Sequence, residues 1–456
     1  MLVRVEDQTD THPKTSGPIE TTGRQWPYRL VELTDADAQR MLVLEEQVWF
    51  EVTPGASAAE VMGAFDYARG QGVEGPPVAT PTPAGTGVPP LVGMYGAFDM
   101  RLTVPGASRP VQVPTSGLSW VAVHPDHRRR GILRAMMRAY LHRLRDEGAE
   151  AVSALWAADV GIYGRYGYGP ASLQVNLVFG AGAELNVPNR VRSAADDVAT
   201  HLMSAGDDET ARALQAAHER AAAATLGIAA RNALTTREFF RDFPVARGAR
   251  ERRQVLFASR DGHPVGYATL QREQKWDEHM NATGEMIVGE MAATDAPALY
   301  ALARRLLDFD LITKVTVHGR STDDPLVWWA GGPRAAATRV HDALWLRLVD
   351  LPAALVQRGF AAPTDVVLEV ADETCPWNAG RWRLTVDDAG AARCVRTEDP
   401  AELSMGVEVL GSSYLGGRSL ASQAAAGTVL EHRAGALRRL SRAMRADVEP
   451  MGTSGF

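Results

Sequence analysis

Cysteine and lysine are scarce in this chain, and long apolar runs are missing altogether. Cys375 and Cys394 are the only cysteines in 456 residues, too few for a disulfide framework at this size, so two reduced thiols are expected. No stretch approaches the roughly 18 apolar residues of a membrane-spanning helix, so no membrane partner is expected. The first 25 residues are polar and lack an apolar core; they read as a flexible tail, not a secretory signal, and the expected location is cytoplasmic. Lysine occurs only as Lys14, Lys275 and Lys314 among 48 basic residues, a bias better explained by genome composition than by function. A net charge of -7 argues against nucleic acid as the main partner.

What is present is ordinary globular sequence, long enough for two to four domains. It is organised around residues 118–137, LSWVAVHPDHRRRGILRAMM. Residues 118–123 are apolar apart from Ser119 and predict a buried strand. Pro125 breaks it, since proline cannot donate to a ladder. After Arg128-Arg129-Arg130-Gly131 a helix opens. Its rows Ile132, Met136, Tyr140, Leu144 and Leu133, Met137, Leu141 form one apolar face, and Gly148 supplies the stop. A strand, a cationic turn with one glycine and a helix N-terminus together make an anion site. First-turn amides have no intrahelical partner, the helix dipole is positive there, and arginines add charge-assisted bonds. That argument does not choose between nucleotides and coenzyme A, and a solvated basic turn is the plainer alternative. His124 and His127 lack a third ligand in sequence, so no metal is expected. Gly164, Gly167 and Gly169 in DVGIYGRYGYGPAS (residues 159–172) are not followed by Lys-Ser/Thr, which rejects a nucleotide loop.

The pattern Val121-x-Val123-x-Pro125-x-x-Arg128-Arg129-x-Gly131 resembles the acetyl-CoA pyrophosphate loop of the GCN5-related N-acetyltransferases. A small residue is usual two after the glycine, and Leu133 departs from it. That departure, with HRRRGILRAM, GIYGRYGYGPAS and DALWLRLVDLPAAL (residues 342–355), resembles the enhanced intracellular survival branch over about residues 27–456. The resemblance implies an α+β fold: tandem acetyltransferase-like α/β domains, each a mixed sheet flanked by helices, then a sterol-carrier-like α+β domain. The expected division is a tail at 1–26, a catalytic domain at 27–187, a degenerate copy at 188–345 that lacks the anion loop, and a closing domain at 346–456.

It also implies chemistry. Acetyl-CoA is the expected co-substrate, held by Val121, Val123, Arg128, Arg129, Gly131 and Ile132. Tyr163 is the implied proton donor to the leaving thiolate, with Tyr166 and Tyr168 as neighbouring competitors; a phenol's pKa near ~10 suits that task. The implied base is the chain's own terminal carboxylate, on Phe456. Trp49, Glu51, Trp120 and Trp156 are the implied substrate wall, indoles and a carboxylate suiting a cationic amine. Trp156 stands where relatives carry histidine. The expected reaction is direct N-acetylation of primary amines on aminoglycoside-like or other small polyamines, and the resemblance implies a homohexamer. Acetylation of protein lysines and a non-catalytic CoA- or lipid-binding role are the alternatives.

Overall fold

A computed structural model describes residues 26–50, 56–76, 89–180, 182–233, 235–236 and 247–452. Chain order begins with β1 (Arg29–Glu32), α1 (Ala38–Trp49), α2 (Ala58–Val61), β2 (Gln71–Glu74), β3 (Leu91–Val104) and β4 (Val111–Val123). It continues through α3 (Ile132–Glu147), β5 (Val152–Trp156), α4 (Val160–Tyr163) and β6 (Gly169–Pro170). A second stretch holds β7 (Leu173–Gly180), α5 (Asn189–Ala195), β8 (Ala199–Ser204), α6 (Asp208–Ala224) and β9 (Ala229–Arg231). It goes on with β10 (Gln254–Arg260), β11 (His263–Glu273), β12 (Gly284–Ala293), α7 (Ala296–Leu307), β13 (Ile312–Arg320), α8 (Pro325–Trp329) and β14 (Arg339–Asp342). The last stretch holds β15 (Leu344–Leu348), α9 (Leu351–Gln357), β16 (Thr364–Ala371), β17 (Gly380–Val386), β18 (Ala392–Arg396) and β19 (Leu403–Gly406). It ends in α10 (Val407–Ser413), α11 (Leu420–Ala425), β20 (Val429–Glu431) and α12 (Ala436–Met444).

Three sheets result, matching the expected α+β class. The first runs β1-β2-β3-β4-β5-β15-β6 with β9 added on β3, the second β14-β7-β13-β12-β11-β10-β8, and the third β18-β17-β16-β19-β20. Each is apolar on the faces that helices cover. In α3 the expected face is buried, from Ile132 through Met136, Met137, Tyr140 and Leu141 to Leu144, and Gly148 ends the helix in the left-handed conformation. Among the described residues no helix is long and apolar enough to cross a membrane. Both cysteines are free and buried.

Local sequence signals predict a helix from Ser57 to about Arg69, a loop over 70–90, separate strands at 91–100 and 101–105, a strand at 173–179 closing the first unit and a largely helical 421–440, and the structure corrects each. The single helix expected from Ser57 to about Arg69 is in pieces: Ser57 and Glu60 form a capping box, but the turn ends at Val61 and Asp66 caps a separate 3-10 turn. The loop expected from Gly70 opens with β2, which joins β1 to β3. Residues 91–104 are one strand and not two. Residues 173–179, expected to close the first unit, pair instead with β13 and β14 of the second sheet. Their place beside β5 is taken by β15. Apolar alternation marks a strand but does not name its partner, which is why the exchange was invisible. The helix expected over residues 421–440 is split by left-handed Gly427 and Gly435 around β20.

Candidate active site

The site is built where β4 leaves β5. Their parallel ladder covers only Thr115↔Val152, Ser116↔Ser153 and Gly117↔Ala154, while β4 continues to Val123. Past Gly117 the strands part, and the β5 side of residues 118–123 faces the opening. On the β3 side the register shifts between Met94↔Ala122 and Gly96↔Ser119. One residue of β3 thus opposes Trp120 and Val121, which is a β-bulge. Trp120 takes a left-handed backbone at φ 56°, a conformation costing about 1–2 kcal/mol for a side chain of this kind. Its ring packs edge-on against Phe65 with centroids 5.9 Å apart. Phe65 in turn meets Tyr67 at 5.2 Å. This aromatic wall was not anticipated; its only trace in the sequence is the Phe65-Asp66-Tyr67 cluster.

The loop after β4 turns twice through left-handed backbone, at Arg129 (φ 61°) and Gly131 (φ 84°). Such a path gathers amides toward one point. Gly131 is the N-cap of α3, no side chain caps the helix, and no acidic residue lies in its first turn. Nothing lies within 4 Å of where a Cβ on Gly131 would stand, so the approach to these amides is open. Arg128 bonds to the Val123 carbonyl at 3.5 Å, and Arg130 to the Tyr28 hydroxyl at 3.4 Å. Among the described residues no carboxylate pairs with Arg128, Arg129 or Arg130, so their charge is left for a ligand. His127 is buried with Nδ1 on the Tyr28 hydroxyl at 3.0 Å, and His124 Nδ1 accepts the Asp126 N–H. Burial lowers both histidine pKa values, keeping the rings neutral. No group of three metal-binding side chains occurs among the described residues.

Tyr163 ends α4, the short helix after β5. It lies in the same apolar cluster as Leu118, Ile132 and Met136, against which Val121 and Val123 also pack. The phenol is buried but its hydroxyl has no hydrogen-bond partner among the described residues, and burial pushes its pKa up to about 12. Tyr168 is different: its hydroxyl meets Ser153 Oγ at 2.7 Å, and Ser153 meets Tyr140 at 2.8 Å, within a sealed network. Its proton is committed to the core. Tyr166, also buried, borders Arg134 and Arg165, whose charges work against the burial that raises its pKa.

Of the expected substrate wall, Trp120 and Trp156 are partly buried against one core cluster, a different one from that holding Tyr163. The Trp156 indole N–H is buried with no hydrogen-bond partner among the described residues. Trp49 is 41% exposed at the end of α1, where Phe50 turns the chain with a left-handed backbone. Among the described residues no ring stacking or hydrogen bond joins Trp49 to the other two. Glu51 and Phe456 lie outside the described residues.

The profile of the "Acetyltransferase (GNAT) domain" matches residues 33–171, a second of that description matches 227–348, and "Sterol carrier protein domain" matches 351–452. The N-acetyltransferase Eis of Mycobacterium tuberculosis is 37% identical over 368 residues, covering 78% of this chain and 84% of the relative. The chain belongs to the Eis family of N-acetyltransferases. An uncharacterized N-acetyltransferase of Streptomyces coelicolor is 39% identical over 366 residues, 80% of this chain and 86% of its own. Among solved structures, Eis1 from Mycobacterium abscessus superposes with a TM-score of 0.75 at 28% identity, covering 94% of this chain and 100% of that one. This Eis-family chain is therefore an N-acetyltransferase of two GNAT domains and a sterol-carrier-like domain. GNAT enzymes use acetyl-CoA, and the open strand fork beside an uncapped, arginine-flanked helix N-terminus suits a long arm ending in a pyrophosphate.

Proposed function

We propose that this protein transfers the acetyl group of acetyl-CoA directly to primary amines of aminoglycoside-like or other small polyamine substrates, in a ternary complex. The observation that carries the reading is the juxtaposition of the parted β4–β5 edge with the free α3 amides. In it, Arg128, Arg129 and the amides around Gly131 and Ile132 hold the pyrophosphate. The backbone at Val121 and Val123 takes the pantetheine arm in the manner of an added strand. The bulge at Trp120 shapes the floor on which the thioester meets the amine.

The amine lone pair attacks the thioester carbonyl; the C–N bond forms, the C–S bond breaks, and the amine gives up one proton. Tyr163 supplies a hydrogen bond to the departing sulfur. With its pKa pushed up to about 12 by burial, the phenol is protonated at neutral pH and available as a donor. Full transfer to a thiolate of pKa near ~8.5 is uphill, so the phenol stabilises developing charge more than it surrenders its proton. The Phe456 carboxylate is proposed to hold the substrate ammonium and accept its proton. Trp49, Glu51, Trp120 and Trp156 are proposed to surround the cation, and Trp156 in place of histidine alters the range of amines admitted.

The test is thiol release from acetyl-CoA by protein with an untagged C-terminus, with and without a panel of aminoglycosides. Release that depends on the aminoglycoside is the expected result. Intact acetyl-CoA binding without release for any small amine would overturn the substrate class.

A further inference from the structure

Residues 445–452, the last described stretch, are pinned to all three units in turn. Within the third unit, the Ala446 N–H donates to the Gly416 carbonyl at 3.2 Å and Arg445 donates to the Gly417 carbonyl at 2.8 Å. Glu449 pairs with Arg418 at 2.5 Å, while its backbone N–H donates to Asp323 Oδ2 of the second unit at 2.8 Å. The Met451 N–H then donates at 2.9 Å to the carbonyl of Leu226, in the turn before β9, whose side chain packs in the core shared by the first and third sheets. Met451 and Gly452 are buried. A Cβ placed on Gly452 would stand 3.6 Å from the Trp156 ring and 2.5 Å from the Ala343 Cβ. The tail thus arrives at the end of β5, beside the strand fork.

The turn that receives Met451 is itself bound to the catalytic sheet. The Gly227 N–H donates to the Thr103 carbonyl of β3 at 2.9 Å, and the Thr103 N–H donates to the Ile228 carbonyl at 3.0 Å. The Thr103 hydroxyl donates to the Ala222 carbonyl at 2.7 Å, and β9 continues the pairing on Met100, Arg101 and Leu102. Gly227 has φ 89°, and a Cβ there would lie 2.5 Å from the Met451 carbonyl oxygen and 2.9 Å from the Pro450 Cβ. Only glycine lets the tail lie against this turn.

We infer that the turn at residues 226–228, between α6 and the β9 strand of the first sheet, anchors the chain's end, with Gly227 as the positioning residue. Residues 226–228 couple the tail to β3 and so set where the terminus enters the active site. Gly452, the last described residue, lies against the Trp156 ring, so the tether at Met451 fixes the point from which the chain's end sets out. The inference rests on the proposed role of the Phe456 carboxylate.

The experiment compares Gly227→Ala with the parent chain, untagged at its C-terminus, for kcat, acetyl-CoA affinity and the rate at which carboxypeptidase releases Phe456. The same substitution is made in a chain shortened by residues 453–456. The anchor predicts that Gly227→Ala lowers kcat about tenfold or more, leaves the acetyl-CoA Kd within about twofold, speeds release of Phe456, and costs nothing further in the shortened chain. Parental turnover with unchanged release, or an equal fractional loss in the shortened chain, overturns it. Full turnover of the shortened chain defeats the carboxylate reading instead, and the release rate still decides the anchor. Should Gly227→Ala fail to fold, Asp323→Ala, which removes the acceptor for the Glu449 N–H, carries the same comparisons and the same outcomes.

Discussion

The loop between β4 and α3 and its counterpart between β12 and α7 share a layout and differ in what occupies it. In the first, the helix N-terminus has no side-chain cap and faces three arginines without described carboxylate partners. In the second, Asp295 caps α7, its Oδ1 accepting the Ala298 N–H at 2.9 Å, and Arg260 pairs with that same carboxylate at 2.8 Å. The protein's own carboxylate stands where an anionic ligand would. The strand fork is filled as well. β12 and β13 pair only as far as Val288↔Val317, and beyond that the buried Arg320 guanidinium donates to the Met291 carbonyl while pairing with Asp324 at 2.7 Å. The fold alone therefore makes no anion site. The site exists where the amides and strand edge that the fold exposes are left for a ligand, and it is lost where side chains satisfy them first.

The largest expected effect of breaking this contrast comes from Tyr163→Phe. Loss of the proposed hydrogen bond to the departing sulfur should lower kcat by about 10²–10³-fold with acetyl-CoA affinity unchanged. Tyr168→Phe, in the committed network a few residues on, should cost stability and leave turnover near normal; steady-state kinetics on both separates the two roles. The smallest effect belongs to the second unit. Asp295→Ala removes a helix cap and should cost about 1 kcal/mol in stability, seen as a lower unfolding midpoint. Its kcat and acetyl-CoA affinity should match the parent, and a change in either would mean that the second loop takes part in the reaction.

The start, face and stop of α3 were legible because periodicity and the Gly148 cap are local signals. α7 carries local signals of the same kind, with Asp295 as its cap and Ala296 as its first residue. The uncapped start of α3 beside its arginines was legible, since arginines and a glycine before a helix carry their meaning in sequence. The bulge at Trp120 was not, because a left-handed backbone at a tryptophan is imposed by the strands on either side and has no residue signature. The exchange of β7 and β15 between sheets, and the run of the tail past Leu226, are contacts between residues far apart in the chain. Glycine gives a hint at position 227, but nothing local says which segment needs the space. The separate standing of Tyr163 and Tyr168 likewise follows from Ser153, which no spacing rule connects to either.

The most direct test of the claim that one of two like-built helix ends holds the co-substrate is a calorimetric titration with acetyl-CoA. It is done on the parent chain and on Arg128→Ala with Arg129→Ala. The account predicts one site per chain in the parent and a Kd raised about 10–100-fold in the double variant, the worth of losing charge-assisted phosphate bonds. Two sites per chain, or a single site of unchanged affinity in the variant, would contradict it.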